Sequence, residues 1–244
     1  MILIAFYIRI LYTVLWVLAN RLPTRFKLRC RRQEHNVKVR IHREISNHIR
    51  EGCEARLDIR INPYWFALGS IYPDCSHQRI IRMHEIGSAG NMVGRMIHRF
   101  CRKSIYSGQN LSRWRSLRLG IIMHYVSDFL CYAHTVGFDG NLMDHRIYEQ
   151  MQGALVEIPQ IREICSFYGV EDSAELIALL VRFIRERETE SFSPSNDIDY
   201  ALTVGVELTY AMLRICMGGT ARPPLRYRMP LVGPHLQRKV LPPA

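Results

Sequence analysis

No two cysteines of this chain are spaced C-x-x-C, and the seven present (Cys30, Cys53, Cys75, Cys101, Cys131, Cys165, Cys216) are odd in number and scattered. That pattern does not describe a disulfide framework, and reduced thiols are expected. Runs of alternating polarity long enough for a strand are missing, as is any internal repeat, so helices are left as the material of the fold. Acidic residues are absent between Gly219 and Ala244, where five basic residues stand alone. The basic stretches also lack the interleaved aromatics of a platform that stacks single-stranded bases.

What is present bounds the rest. The chain has 244 residues, 48% of them hydrophobic, enough for one substantial core. Its net charge of +11 is concentrated at the flanks, with ten Lys/Arg against two acids between Arg21 and Arg50. Residues 1–20 are almost wholly apolar and about as long as a bilayer is thick, interrupted by Arg9, with a basic run directly behind them. The expectation is a membrane-associated helix over 1–20, a basic linker over 21–40 and the domain on the cytoplasmic side. A hydrophobic helix packed on the domain itself is the other use of such a segment. An all-helical domain over 41–217 follows, and a tail over 218–244 that holds six of the eleven prolines.

Within the domain, apolar periodicity predicts helices over His42–Leu57, Met83–Tyr106 and Arg113–His134, and from about Leu142 onward. Pro159–Phe167, Asp172–Arg187 and Asp197–Met217 add three more, with Ser173 or Asp172 and Ser195 or Asn196 as caps. Tyr72-Pro73-Asp74 reads as a helix end or loop, because proline disfavours a helical residue before it.

The pattern that carries chemistry is H-x3-D-x5-H-x10-H-x3-E, formed by His124, Asp128, His134, His145 and Glu149. His124 with Asp128, and His145 with Glu149, are four apart, so on a helix each pair shares a face and makes a two-toothed clamp. Imidazole and carboxylate are the donors that zinc takes in catalytic sites. A buried His–Asp pair that satisfies only itself is the alternative for His124 and Asp128, which sit in an otherwise apolar segment.

Upstream stand His42, Asp74 and His84, and the whole order H…PD…H…H-x3-D-x5-H…H-x3-E resembles the zinc-dependent phospholipase C family, which shares its fold with the P1/S1 nucleases. The resemblance covers about His42 to Glu149 and implies an all-α, multi-helix bundle with metals at the bottom of a cleft. It implies that His84, His124, Asp128 and Asp74 bind one zinc, His42 and the shared Asp128 a second, and His134, His145 and Glu149 a third. Asp74 would also face the attacking water as general base. His77 competes with His84 for its place. Two or three Zn2+ would then cleave a phosphodiester, with a phospholipid at a membrane surface as substrate. Single-stranded nucleic acid, the substrate of a P1/S1-like nuclease, is the alternative, and a non-catalytic protein whose metals staple the bundle is a third reading. His35, His48, His98 and His235 are expected at the surface, Glu44 and Glu85 beside the ligands but pointing elsewhere, and Trp65 in the core.

Overall fold

The computed structural model describes residues 37–75, 84–155, 167 and 169–218. The apolar segment 1–20, most of the basic stretch 21–40, His35, His77, His235, nearly all of the candidate helix Pro159–Phe167 and the tail from 219 lie outside the described residues. Among the described residues seven helices follow one another: α1 (Val37–Glu54), α2 (Pro63–Cys75), α3 (Ile86–Cys101), α4 (Arg113–Phe129), α5 (Leu142–Leu155), α6 (Ser173–Arg187) and α7 (Pro194–Cys216). A short 3-10 turn, Tyr132–His134, stands between α4 and α5. Among the described residues there is no strand, only an isolated bridge between Arg60 and Asn110, so the chain is all-α.

Helix α7 is the centre of the bundle. From Asp197 to Arg214 every side chain is buried, as expected of a helix surrounded on all sides rather than facing solvent with one stripe. Helices α1, α3, α4, α5 and α6 all pack against it. Helix α1 is the opposite type: Ile41, Ile45, Ile49 and Cys53, spaced by four, form its buried edge, while Arg43, Glu51 and Arg40 stay outside. Helix α4 is also buried along nearly its whole length, which places His124 and Asp128 in the interior.

Helices α2 and α4 approach each other closely enough for their backbones to meet. A Cβ built on Gly69 would lie 2.1 Å from the Leu117 carbonyl oxygen, and one on Gly120 would lie 2.2 Å from that of Phe66. The two backbones therefore touch directly, and neither position accepts a side chain without moving a helix. This crossing brings the end of α2, with Asp74, beside the second half of α4.

Three local expectations are corrected. Residues 37–40 are not linker but the first turn of α1, because Val39 is buried and Arg40 Nη2 donates to the Gly153 carbonyl on α5 at 3.1 Å. Tyr72-Pro73-Asp74 is the helix end of the two alternatives expected: Pro73 sits in the last turn of α2, where its missing N–H removes a single bond. The long helix expected from Arg113 to His134 stops at Phe129, since the Tyr132 N–H leaves the helical ladder and donates to Asp197 Oδ2 on α7 at 2.9 Å. The cap of α7 is Ser193, whose hydroxyl accepts from the Asn196 N–H, ahead of the expected Ser195 or Asn196. Asp172 caps α6 through the amides of Ala174 and Glu175. No helix among the described residues is long and apolar enough to cross a membrane.

Gly120→Ala should lower the unfolding free energy by about 3 kcal/mol, the upper end of ordinary overpacking costs. Denaturant unfolding of the purified variant measures it, and an unchanged midpoint would mean that the two backbones separate freely.

Candidate metal centre

Six segments of the chain deliver side chains to one centre. Helix α1 presents His42, the last turn of α2 presents Asp74, and His84 stands two residues ahead of α3. Helix α4 presents His124 and Asp128 from adjacent turns of one face. The 3-10 turn then carries His134 back toward Asp128, and α5 adds His145 and Glu149. The start of α5 is set by a reciprocal cap. Asn141 Oδ1 accepts from the amides of Met143 and Asp144, and the Asp144 carboxylate accepts from the Asn141 N–H.

The eight residues fall into three groups, within each of which the donor atoms lie within 4.8 Å of one another: His42, His124 and Asp128; Asp74, His84 and His124, which shares His124 with the first; and His134, His145 and Glu149. Asp128 is common ground. Its Oδ1 is 3.2 Å from His42 Nε2 and 3.8 Å from His134 Nε2, while its Oδ2 is 3.2 Å from His124 Nε2 and in contact with His84 Nδ1. In the third group, His145 Nε2 is 2.9 Å and His134 Nε2 3.6 Å from Glu149 Oε1.

The donors fit a cation for a reason visible at His124. Its Nδ1 lies 2.8 Å from the Ser70 carbonyl oxygen, so that nitrogen carries the proton and donates. Burial pushes the ring down to about 3, so it is neutral and Nε2 holds a lone pair. That lone pair faces two carboxylate acceptors, Asp128 Oδ2 at 3.2 Å and Asp74 Oδ1 at 3.9 Å, and the ring nitrogen His84 Nδ1 at 3.2 Å. A set of acceptors aimed at one another is satisfied by a positive ion between them, and a ring nitrogen fixed by a backbone carbonyl is how protein zinc ligands are oriented. Asp74 Oδ2 is buried with no hydrogen-bond partner, a further sign of an atom awaiting something other than protein. Imidazole nitrogen with carboxylate oxygen is the donor chemistry of zinc.

The surroundings keep the carboxylates charged. Burial opposes the charge on Asp128, and His124, His134, Lys38 and His42 overcome it, holding the carboxyl well below its usual range. Glu149 likewise resists burial through hydrogen bonds from His134 and His145 and the charge of Lys38, and stays below the usual range. Burial works against protonation of His42, but Asp128 and Asp74 raise it. His134 is pushed down by burial.

Several partners were not visible in the sequence pattern. Lys38, four residues ahead of His42, reaches Glu149 Oε1 at 3.1 Å and Asp74 Oδ1 at 3.6 Å. The i,i+4 spacing from His42 is a signal that the same-face rule contains. Asp197, at the start of α7, accepts from the Tyr132 N–H, the Tyr148 hydroxyl at 2.7 Å, Gln152 Nε2 at 3.3 Å and Arg187 Nη2 at 3.1 Å. It thereby ties the 3-10 turn of His134 to the helix of His145 and Glu149, and nothing in the linear chain marks it. Glu44 faces Arg43 and Glu85 is exposed ahead of α3, both away from the centre. His98 is exposed and bonded to Ser173, and His48 is half-buried. Trp65 is half-buried too, 6.0 Å from Trp114 between ring centres, rather than in the core.

Comparison with known proteins agrees with this geometry. A family model described as zinc dependent phospholipase C matches residues 41–193, more than half of the chain and the span in which the centre lies. No curated protein and no solved structure matches.

The metal-free protein should be acid-labile. His124 has a folded value below its unfolded one, so between the two the unfolded chain binds the extra proton and stability falls as pH falls. His42, raised in the fold, is protonated in both states below its unfolded value and adds no slope there. From pH 6.5 to pH 5 the His124 contribution alone is about 2 kcal/mol, at about 1.4 kcal/mol per pH unit. Thermal unfolding of chelator-treated protein across that range checks it, and a flat profile would show that His124 is not buried neutral.

Proposed function

The chain belongs to the zinc dependent phospholipase C family, and on that premise we propose that it is a zinc-dependent hydrolase cleaving the phosphodiester bond of phospholipid head groups. The observation that carries the reading is the neutral His124 Nε2 turned toward two carboxylate oxygens. In this reading His84, His124, Asp128 and Asp74 hold one ion, His42 with the shared Asp128 another, and His134, His145 and Glu149 a third.

Bound zinc supplies the positive charge that lets water attack an anionic phosphodiester near neutral pH and that stabilises the departing oxygen. The protein's own work is to hold the donors and move the proton. Ser70, through its carbonyl, keeps His124 in the tautomer that presents Nε2 inward. Asp74, whose Oδ2 accepts no hydrogen bond, takes the proton of the attacking water as general base. Asp128, fully enclosed, stays a carboxylate throughout.

A surface beside the centre favours a lipid substrate. The inner face of α5 carries His145 and Glu149, and its outer face exposes Met143, Ile147, Met151 and Leu155, 41% to 61% accessible and spaced by four. Such an apolar ridge, with exposed Arg146 beside it, suits insertion among acyl chains while a basic group meets an anionic head group.

Asp74→Asn should keep its zinc and lose turnover of phosphatidylcholine at least about 100-fold, the range of general-base catalysis. Full zinc with full turnover would remove Asp74 from the chemistry. Faster cleavage of single-stranded DNA than of phospholipid by the wild-type chain would favour the nuclease, and zinc without turnover of either the staple. Ile147→Glu combined with Met151→Glu should weaken sedimentation with anionic phospholipid vesicles at least about 10-fold, since each buried apolar side chain is worth about 1.5–3 kcal/mol. Unchanged vesicle binding would detach the ridge from the membrane.

A further inference from the structure

One cation is already inside the centre. Lys38 Nζ lies 3.1 Å from Glu149 Oε1, 3.5 Å from His134 Nε2 and 3.6 Å from Asp74 Oδ1. The first two are donor atoms of the third group, and the same two that an ion between His134, His145 and Glu149 would need. An ammonium and a divalent cation seek the same lone pairs, and neither shares an atom's inward lone pair with the other. The cavity lined by Lys38, His42, Asp128, His134 and Glu149 measures about 20 Å³, room for one water-sized body. Lys38 stands in the first turn of α1, whose next residues Val39 and Ile41 are buried. The helix cannot carry its base away, and only the flexible four-carbon stem can swing.

We propose that Lys38 is a built-in competitor for the ion at His134, His145 and Glu149, so that this group binds zinc more weakly than the groups around Asp128 and fills last. The inference rests on the metal centre proposed above. Filling the third group exchanges one cation for another: Lys38 gives up Glu149 and His134 and keeps Asp74 Oδ1 within reach. Occupancy of this group then follows the free zinc concentration, while the ions around Asp128 remain in place. The groups around Asp128 meet this cation less closely: Asp74 Oδ1 stands 3.6 Å from it, against 3.1 Å for Glu149 Oε1 and 3.5 Å for His134 Nε2, two donors of the third group. The exchange makes occupancy of the third group respond to zinc without any movement of the backbone.

The test is a chelator competition titration of zinc on the full chain, read as the affinity of each equivalent. In Lys38→Met, which keeps the stem and removes the charge, the weakest equivalent should tighten at least about 10-fold and the others by much less. Lys38→Arg, still a cation, should stay close to wild type. In a His145→Ala background, where the third group has lost a donor, Lys38→Met should no longer tighten that equivalent. Equal tightening of every equivalent, or tightening that survives His145→Ala, overturns the proposal, because it describes a diffuse charge effect. No tightening in a folded Lys38→Met chain overturns it as well. Lys38→Gln serves the same comparison if the methionine variant does not fold. A folded wild-type chain that takes up no zinc overturns the metal centre itself, an outcome distinct from a zinc-loaded chain whose equivalents ignore Lys38.

Discussion

Asp128 holds four histidines from four different parts of the chain. His42 and His134 approach one of its oxygens, His84 and His124 the other. A carboxylate this deeply enclosed is expensive to keep charged, and it stays charged only because its partners converge on it. The dependence is mutual. Without Asp128, several imidazoles of the interior would face one another with no acceptor, and the ends of α1, α3 and α4 would lose the group on which they meet.

That convergence depends in turn on a steric fact outside the centre. Gly69 and Gly120 let the backbones of α2 and α4 touch. Only at that separation does the Ser70 carbonyl reach His124 Nδ1 and set which nitrogen faces inward. The third group has its own support: Asp197 on the central helix gathers Tyr132, Tyr148, Gln152 and Arg187, and so places the 3-10 turn against α5. Two devices of different kinds, a close backbone crossing and a buried hydrogen-bond node, position the two halves of one site. Lys38 lies where the halves meet.

The family and the helical character of the chain were legible in residue order. His124 with Asp128 and His145 with Glu149 could be paired by the helical repeat alone, and both pairs meet in the structure, at 3.2 and 2.9 Å. Placing His42, Asp74 and His84 beside them rested on the resemblance, since no local periodicity spans those gaps. Lys38 was hidden by a boundary error: with the first helix begun at His42, the residue one turn earlier looked like linker. His134 was expected on a continuous helix because the segment through Cys131-Tyr132-Ala133 is apolar enough to continue one. The break is made by Asp197, sixty-five residues later, which takes the Tyr132 N–H out of the ladder.

The sequence by itself determined the donor types, their order and the two same-face pairs, because those follow from side-chain chemistry and from the repeat of a single helix. Only the tertiary structure decided which nitrogen of His124 points inward, that Asp128 serves four rings at once, and that an ammonium stands among the donors of the third group. Each of these depends on atoms brought together from distant segments, and the distances that select a tautomer or an ion pair are tenths of an ångström set by packing, which no spacing along the chain encodes.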